Sequence, residues 1–116
     1  MMNDKLKILW LGGNHSRHLY YANSIHEKYK FSGGIVEVRE NSLPAPPKDI
    51  NNLDRRNFVN HFNERERCEK KYFGIQNYPN CKLLEVNESS LNSEKTRNFI
   101  NEINPDLVLI FGTGMI

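Results

Sequence analysis

The sequence has little cysteine, no long apolar run and no excess of charge of one sign. Its only cysteines are Cys68 and Cys81, which form no CxxC pair. We therefore expect free thiols in a reducing, cytoplasmic compartment, and neither a disulfide framework nor a zinc site. No apolar stretch reaches the roughly 18 residues that a membrane-spanning helix needs, so no membrane partner is expected.

Charge and motifs exclude further classes. The 16 basic and 14 acidic residues leave a net charge of +2, too small an excess to favour nucleic acid as a partner. Basic and acidic side chains also alternate over residues 54–72, which is typical of a solvated helix face. The sequence contains no GxSxG, HExxH or GxxxxGK[ST] motif, so the common hydrolase, zinc-protease and nucleoside-triphosphatase interpretations lack their signatures.

Short apolar runs alternate with longer polar segments along the whole chain. The runs predict strands at residues 6–11, 34–38, 82–86 and 107–111, and the segments between them predict helices at 16–29, 54–72 and 93–103. Continuous apolar runs suit strands buried on both faces. We therefore expect one α/β domain over residues 1–116, with a Rossmann-like parallel sheet, the connectivity βαβαβαβ and the strand order 3-2-1-4.

The helix boundaries have their own signals. Asn14 or Ser16 is expected to cap the first helix, and Asn104 followed by Pro105 is expected to end the last one. Residues 41–52 include three prolines and show no periodicity, which predicts a long loop.

This order makes the first and fourth strands neighbours, and their carboxyl ends flank the crevice where open α/β sheets bind ligands. Both strands are followed by glycine-containing segments, which allow a tight turn or a close ligand. After the first strand we expect a substrate site formed by Gly12, Gly13, Asn14, His15 and Ser16. After the fourth strand we expect a cofactor site formed by Gly112, Thr113, Gly114, Met115 and Ile116.

The first glycine segment precedes a predicted helix, whose free N–H groups and dipole attract an anion. It is not a GxGxxG motif, because Arg17 occupies the third glycine position. The two glycines also suit a simple tight turn without a ligand. A dinucleotide site would use an acidic residue at the end of the second strand; Glu37 and Glu40 are present there, although Arg39 between them favours a phosphate over a free ribose.

The C-terminal run NPDLVLIFGTGMI resembles the fourth strand and following loop of the formyltransferase superfamily. That superfamily includes the methionyl-tRNA, glycinamide-ribonucleotide and amino-sugar formyltransferases. The segment KILWLGGNHSRHLYYANSI is similar to the family's first strand and glycine loop, and residues 56–74 resemble its less-characterised members. The resemblance therefore covers most of the chain in order.

This resemblance implies a small-molecule amine acceptor and 10-formyltetrahydrofolate as the cofactor, with the folate ring held by the segment that ends in Gly114, Met115 and Ile116. It also implies that Asn14, His15 and Ser16 contact the acceptor, which is a nucleotide-linked amino sugar rather than tRNA. The family's catalytic asparagine, histidine and aspartate follow this point in its sequences, so we expect an incomplete formyltransferase domain without catalytic residues. His26 and His61 are expected to be surface residues.

Two other functions remain open from the sequence. One is a small nucleotide- or anion-binding module without catalysis, and the other is the dinucleotide-binding half of an oxidoreductase. If the fourth strand is an uncovered edge, its apolar sequence also predicts self-association through residues 107–111.

Overall fold

A computed structural model of the chain describes residues 6–38, 46–114 and 116. The described chain alternates strands and helices in the predicted order. The elements are β1 (Ile8–Gly13), α1 (Ser16–Lys28), β2 (Gly33–Glu37), α2 (Asn52–Phe73), β3 (Lys82–Val86), α3 (Glu94–Ile103) and β4 (Leu107–Phe111).

The four strands form one parallel sheet in the order β3-β2-β1-β4, as the alternation of elements predicts. β1 is central and pairs with a neighbour along each edge. Its residue Leu9 is aligned with Gly33 of β2 on one side and with Val108 of β4 on the other. The chain therefore reverses its direction of winding between β1 and β4, which confirms the Rossmann-like fold.

Each face of the sheet carries its own core, because side chains alternate along β1. Trp10 faces α1 and packs with Leu19 and Ala22. Leu9 and Leu11 face the opposite side, where Phe99 of α3 covers them. All six residues of β1 are buried, which accounts for its nearly continuous apolar sequence.

Local signals set most of the helix ends. The side chain of Asn51 accepts a hydrogen bond from Asp54 N at the start of α2, and Ser93 accepts one from Thr96 N at the start of α3. α3 ends at Asn104, which has a φ of 52° and precedes Pro105, as predicted. The end of α2 is formed by Gly74, whose φ of 66° suits a residue without a Cβ.

α2 differs from the other two helices because none of its residues is buried. Its C-terminal half contacts α1: the Arg17 guanidinium lies 2.6 Å from Glu69 Oε1, and the Tyr20 and Phe73 rings lie 5.0 Å apart. Elsewhere its charges pair along the helix itself, as in the ion pair between Lys70 and Glu66. Within the described residues, no helix is both long enough and apolar enough to cross a membrane.

The glycines at the end of β1 belong to the strand, which corrects the predicted boundary. Leu6 precedes the strand and is 55% exposed, whereas Gly12 and Gly13 still pair with Val36 and Glu37. A Cβ at Gly12 would lie 2.4 Å from the indole nitrogen of Trp10. Position 12 therefore needs glycine because a side chain there would clash with the Trp10 indole. The turn that we predicted at this glycine pair begins at Asn14 instead.

Gly34 has the same role on β2. A Cβ at this position would lie 2.7 Å from Cε3 of Trp10, whereas a Cβ at the adjacent Gly33 would meet the tip of the Ile103 side chain at 2.8 Å. The Trp10 ring is fully buried and stacks on Phe31, so it has no space to move. The Ile103 tip is flexible and only half-buried.

We therefore predict that Gly34→Ala destabilises the fold by about 1–3 kcal/mol, the usual range for overpacking. Gly33→Ala is the matched control in the same strand and should cost less than half as much, because the Ile103 side chain can change rotamer. Urea unfolding of both variants measures the two costs. Equal costs would show that the indole is not the reason for glycine at position 34.

His26 joins the end of α1 to the start of β2, so it is not the simple surface residue that we expected. Its Nδ1 accepts a hydrogen bond from Phe31 N at 2.9 Å, and its ring contacts the Phe31 ring. Burial, followed by the nearby Lys30 ammonium, holds the pKa of His26 below its usual value, against a smaller opposing effect from a backbone hydrogen bond with Asn80.

His26 is protonated at a higher pH in the unfolded chain than in the folded chain. The free energy of unfolding should therefore fall as the pH drops through about 6.5 towards the lower folded-state pKa. We predict that His26→Asn, which retains a short acceptor, loses less stability than the wild type between about pH 7.5 and 5.5. His61→Asn, at an exposed position on α2, is the control. Urea unfolding across this pH range tests the prediction, which fails if all three proteins lose the same stability.

Candidate functional site

The carboxyl ends of β1 and β4 lie side by side, as the strand order requires. Gly12 is aligned with Phe111, so the segments that follow the two strands start at the same edge of the sheet. In open parallel sheets this edge, at the point where the winding reverses, is the usual position of a ligand. The predicted substrate and cofactor segments therefore leave the sheet next to one another.

His18 occupies the space between these two strand ends. It lies in the first turn of α1 and is 4% exposed. A Cβ at Gly13 would lie 2.4 Å from His18 Nδ1, and a Cβ at Gly112 would lie 2.3 Å from His18 Nε2. Glycine at both positions therefore admits one imidazole ring, which packs against the ends of both β1 and β4.

The His18 ring belongs to a small stack at this edge. The ring of His15 lies almost parallel to it, with the centroids 5.1 Å apart. Phe111 contacts His18 from the side of β4 at 5.2 Å, and Tyr21 meets Phe111 edge-on at 4.6 Å. His15, at one end of the stack, is half-buried and its Nε2 atom is buried, whereas Tyr21 at the other end is 39% exposed.

The N-cap residue of α1 forms no side-chain cap. His15 is the N-cap residue, with extended backbone, and makes no capping hydrogen bond, so the expected cap by Asn14 or Ser16 is wrong. The first turn also contains no acidic residue. Arg17 is directed away to Glu69 of α2. The positive end of the α1 dipole is therefore not neutralised by a carboxylate in its own first turn.

The segment after β4 folds back across the sheet towards β2. Gly112 has a φ of 79°, which favours glycine because a side chain is strained there. Gly114 N then donates a 3.0 Å hydrogen bond to Oε1 of Glu37, and the Thr113 hydroxyl donates to the carbonyl oxygen of Gly114. Glu37 is fully buried, so its hydrogen bond with Gly114 ties this segment to the buried end of β2.

The structure brings together most of the predicted site residues but changes their roles. Gly12, Gly13 and Gly112 make room for protein rings, so packing within the fold already explains these three glycines. The N–H of Gly114 donates a hydrogen bond to Glu37. Ile116 is 59% exposed, and Met115 lies outside the described residues. Asn14, His15 and Ser16 are half-buried at the start of α1.

Glu37, which we considered as a ligand for a ribose, is buried and bonded within the protein. Glu37 ends β2, as a dinucleotide site requires, but it is buried and holds Gly114. Glu40 and Arg39 lie outside the described residues. Across residues 6–38, 46–114 and 116, no group of three His, Cys, Asp or Glu side chains is arranged to hold a metal ion. His61 is exposed on α2, as predicted.

Sequence reasoning missed His18 and Phe111, and it considered Glu37 only as one of two acidic residues available for a ribose. A signal for His18 was present: a side chain in the first turn of a helix points back towards the helix start, and this start follows a glycine pair. Phe111 was assigned only to a buried strand. The hydrogen bond between Glu37 and Gly114 joins residues 77 positions apart and has no local signature.

The arrangement combines imidazole rings, a helix start whose N-cap residue makes no capping bond and a backbone segment held by a buried carboxylate. Such groups suit an anionic or flat heterocyclic ligand. No protein-family model, curated protein or solved structure matches the chain.

The bond between Glu37 and Gly114 yields a prediction about the site. Glu37→Gln keeps an oxygen acceptor and should cost less than about 1 kcal/mol. Glu37→Met has a similar shape but leaves Gly114 N without its acceptor, and should cost about 1–3 kcal/mol. Urea unfolding gives the cost, and hydrogen exchange of the Gly114 amide should accelerate in the methionine variant. An unchanged exchange rate would contradict the anchoring role.

Proposed function

We propose that this chain is the ligand-binding, N-terminal part of a folate-dependent formyltransferase that acts on an amine acceptor. The observation that carries the proposal is the crevice at the ends of β1 and β4, because the two segments that resemble the family leave the sheet there together. The fold alone supports many functions. The residues at the crevice and the order of the resembling segments narrow the choice.

The segment after β4 is our candidate for the 10-formyltetrahydrofolate site. A folate carries a flat ring with several hydrogen-bond donors and acceptors, which backbone groups read well. Glu37 holds Gly114 and thereby positions the backbone of Gly112 and Thr113. Exposed Ile116 supplies an apolar flank. Because this bond holds Gly114 before the ligand arrives, it reduces the entropy cost of binding.

The start of α1 is our candidate for the acceptor site. N–H groups at a helix start favour a phosphate, and the half-buried polar residues Asn14 and Ser16 lie beside them. A nucleotide-linked amino sugar carries both a phosphate and an amine, and we prefer it over tRNA because residues 56–74 resemble the family's less-characterised members. The small net charge of +2 agrees with this preference.

Formyl transfer needs a donor for the developing oxyanion and a base for the amine proton. We assign neither role to a residue of this chain, so the proposed role is binding. Cys68 and Cys81 are both free thiols, which supports a cytoplasmic location.

A nucleotide- or anion-binding module without catalysis uses the same crevice and remains the second candidate, because the uncapped start of α1 is its main requirement. The dinucleotide half of an oxidoreductase is less well supported. Its ribose would need Glu37, and that carboxylate is buried under the segment after β4.

The test is thermal unfolding with 5-formyltetrahydrofolate, NAD or a nucleotide-linked amino sugar. A ligand at about ten times its Kd stabilises the folded state by about 1.4 kcal/mol, which raises Tm by roughly 5 °C in a domain of this size. We expect a concentration-dependent shift with the folate. A shift with NAD alone supports the oxidoreductase half, a shift with the nucleotide sugar alone supports the small module, and no shift with any ligand contradicts all three.

Two exposed isoleucines give a matched pair of variants for this test. Ile116→Ala removes the apolar flank of the proposed folate site and should reduce the folate shift. Ile75→Ala removes the same side chain from a position that is 99% exposed in the segment after α2, and should leave the shift unchanged. An equal shift in both variants would place the folate elsewhere.

A further inference from the structure

β4 is an edge strand with an apolar and uncharged sequence. Only β1 pairs with it in the part of the chain that the structure describes. Leu107, Val108 and Ile110 are 42%, 42% and 55% exposed. Protective features of edge strands, such as a lysine, a proline or an inward-pointing charge, are absent from its sequence LVLIF.

The exposure is greatest on the face that carries α3. Val108 and Ile110 are aligned with Leu9 and Leu11 of β1, which belong to the core under α3. Val108 and Ile110 do not join that core. On the opposite face, Leu109 packs against the core under α1 and Phe111 contacts Tyr21. The accessible surface of β4 therefore consists of its outer backbone edge and three aliphatic side chains, of which Val108 and Ile110 lie together on the α3 face.

We propose that this edge pairs with β4 of a second copy of the chain. The two strands run antiparallel about a two-fold axis that passes beside Leu109 and is perpendicular to the sheet. This axis keeps each face of one sheet continuous with the same face of the other, and it gives the five-residue strand its greatest overlap. The product is a continuous sheet in the order 3-2-1-4-4-1-2-3.

The edge is complementary to itself in this register. Val108 of one copy lies opposite Ile110 of the other, and the same pair repeats across the axis, as an isologous interface requires. The four exposed aliphatic side chains then meet on the α3 face. Charge also agrees: Asp106 lies opposite Gly112, so no like charges meet, and the Asp106 carboxylate is already bonded to Lys7 N.

The first test is the molar mass in solution. We expect the 13.6 kDa chain to double its mass in light scattering at high concentration and to dissociate on dilution, because a single short strand pair is a small interface. Val108→Lys and Ile110→Lys place a charge on the edge and should remain monomeric. Ile75→Lys, at the fully exposed position after α2, is the control and should dimerise like the wild type.

The second test fixes the register in a Cys68→Ser/Cys81→Ser background. With Leu109 on the axis, residues 108 and 110 of different copies lie directly opposite, with Cβ atoms about 4.5–5.5 Å apart, whereas two copies of residue 108 are diagonal at about 7–8 Å. Only the direct pair is close to the spacing of a disulfide. A mixture of Val108→Cys and Ile110→Cys chains should therefore cross-link under mild oxidation, and neither variant should do so alone.

Each outcome decides the proposal. If the wild type stays monomeric at several hundred micromolar, the proposed dimer is wrong. The β4 edge would then be available to pair with a strand of another protein. Dimers that persist in both lysine variants place the interface elsewhere. If a lysine variant loses its circular dichroism spectrum, the cysteine mixture decides in its place. Cross-linking of Val108→Cys alone would overturn the axis at Leu109. None of these results depends on the ligand proposed above.

Discussion

The fold depends on how two rings fit over the central strand. The Trp10 indole lies across β1 and β2 where Gly12 and Gly34 have no side chains, and the His18 imidazole lies between Gly13 and Gly112. Among the described residues the indole N–H has no hydrogen-bond partner, so packing rather than bonding sets the position of this ring. A protein interior is packed as densely as an organic crystal. Where either ring lies over a strand, only glycine fits beneath it, because a Cβ would clash with the ring.

One of these rings also belongs to the candidate site. His18 packs against the ends of β1 and β4, while Glu37 holds Gly114 of the segment after β4 from the side of β2. The candidate site is therefore bounded by residues that are themselves buried. A change that loosens the core at this edge should alter the site at the same time, because the two share His18 and Glu37.

The sequence predicted the architecture well, because apolar runs and their spacing are local patterns. The bounds of β3 and β4 were correct, and so was the end of α3 at Asn104. The start of α1 at Ser16 was also correct, but its N-cap residue is His15. The end of β1 was wrong because a glycine pair suggests a turn from sequence alone. The glycine pair is instead explained by the rings of Trp10 and His18, which pack against Gly12 and Gly13. The same limit applies to the site: the sequence indicated the two segments, but not that Glu37 and His18 would connect them.

α2 shows the opposite kind of constraint. It has no buried residue; its charges pair along its own length, and its C-terminal half contacts α1. Many different polar sequences satisfy those conditions, whereas β1 must keep a particular ring beside a particular glycine. Over evolutionary time, relatives of this chain should therefore diverge fastest along α2 and slowest at the four glycines that accommodate Trp10 and His18.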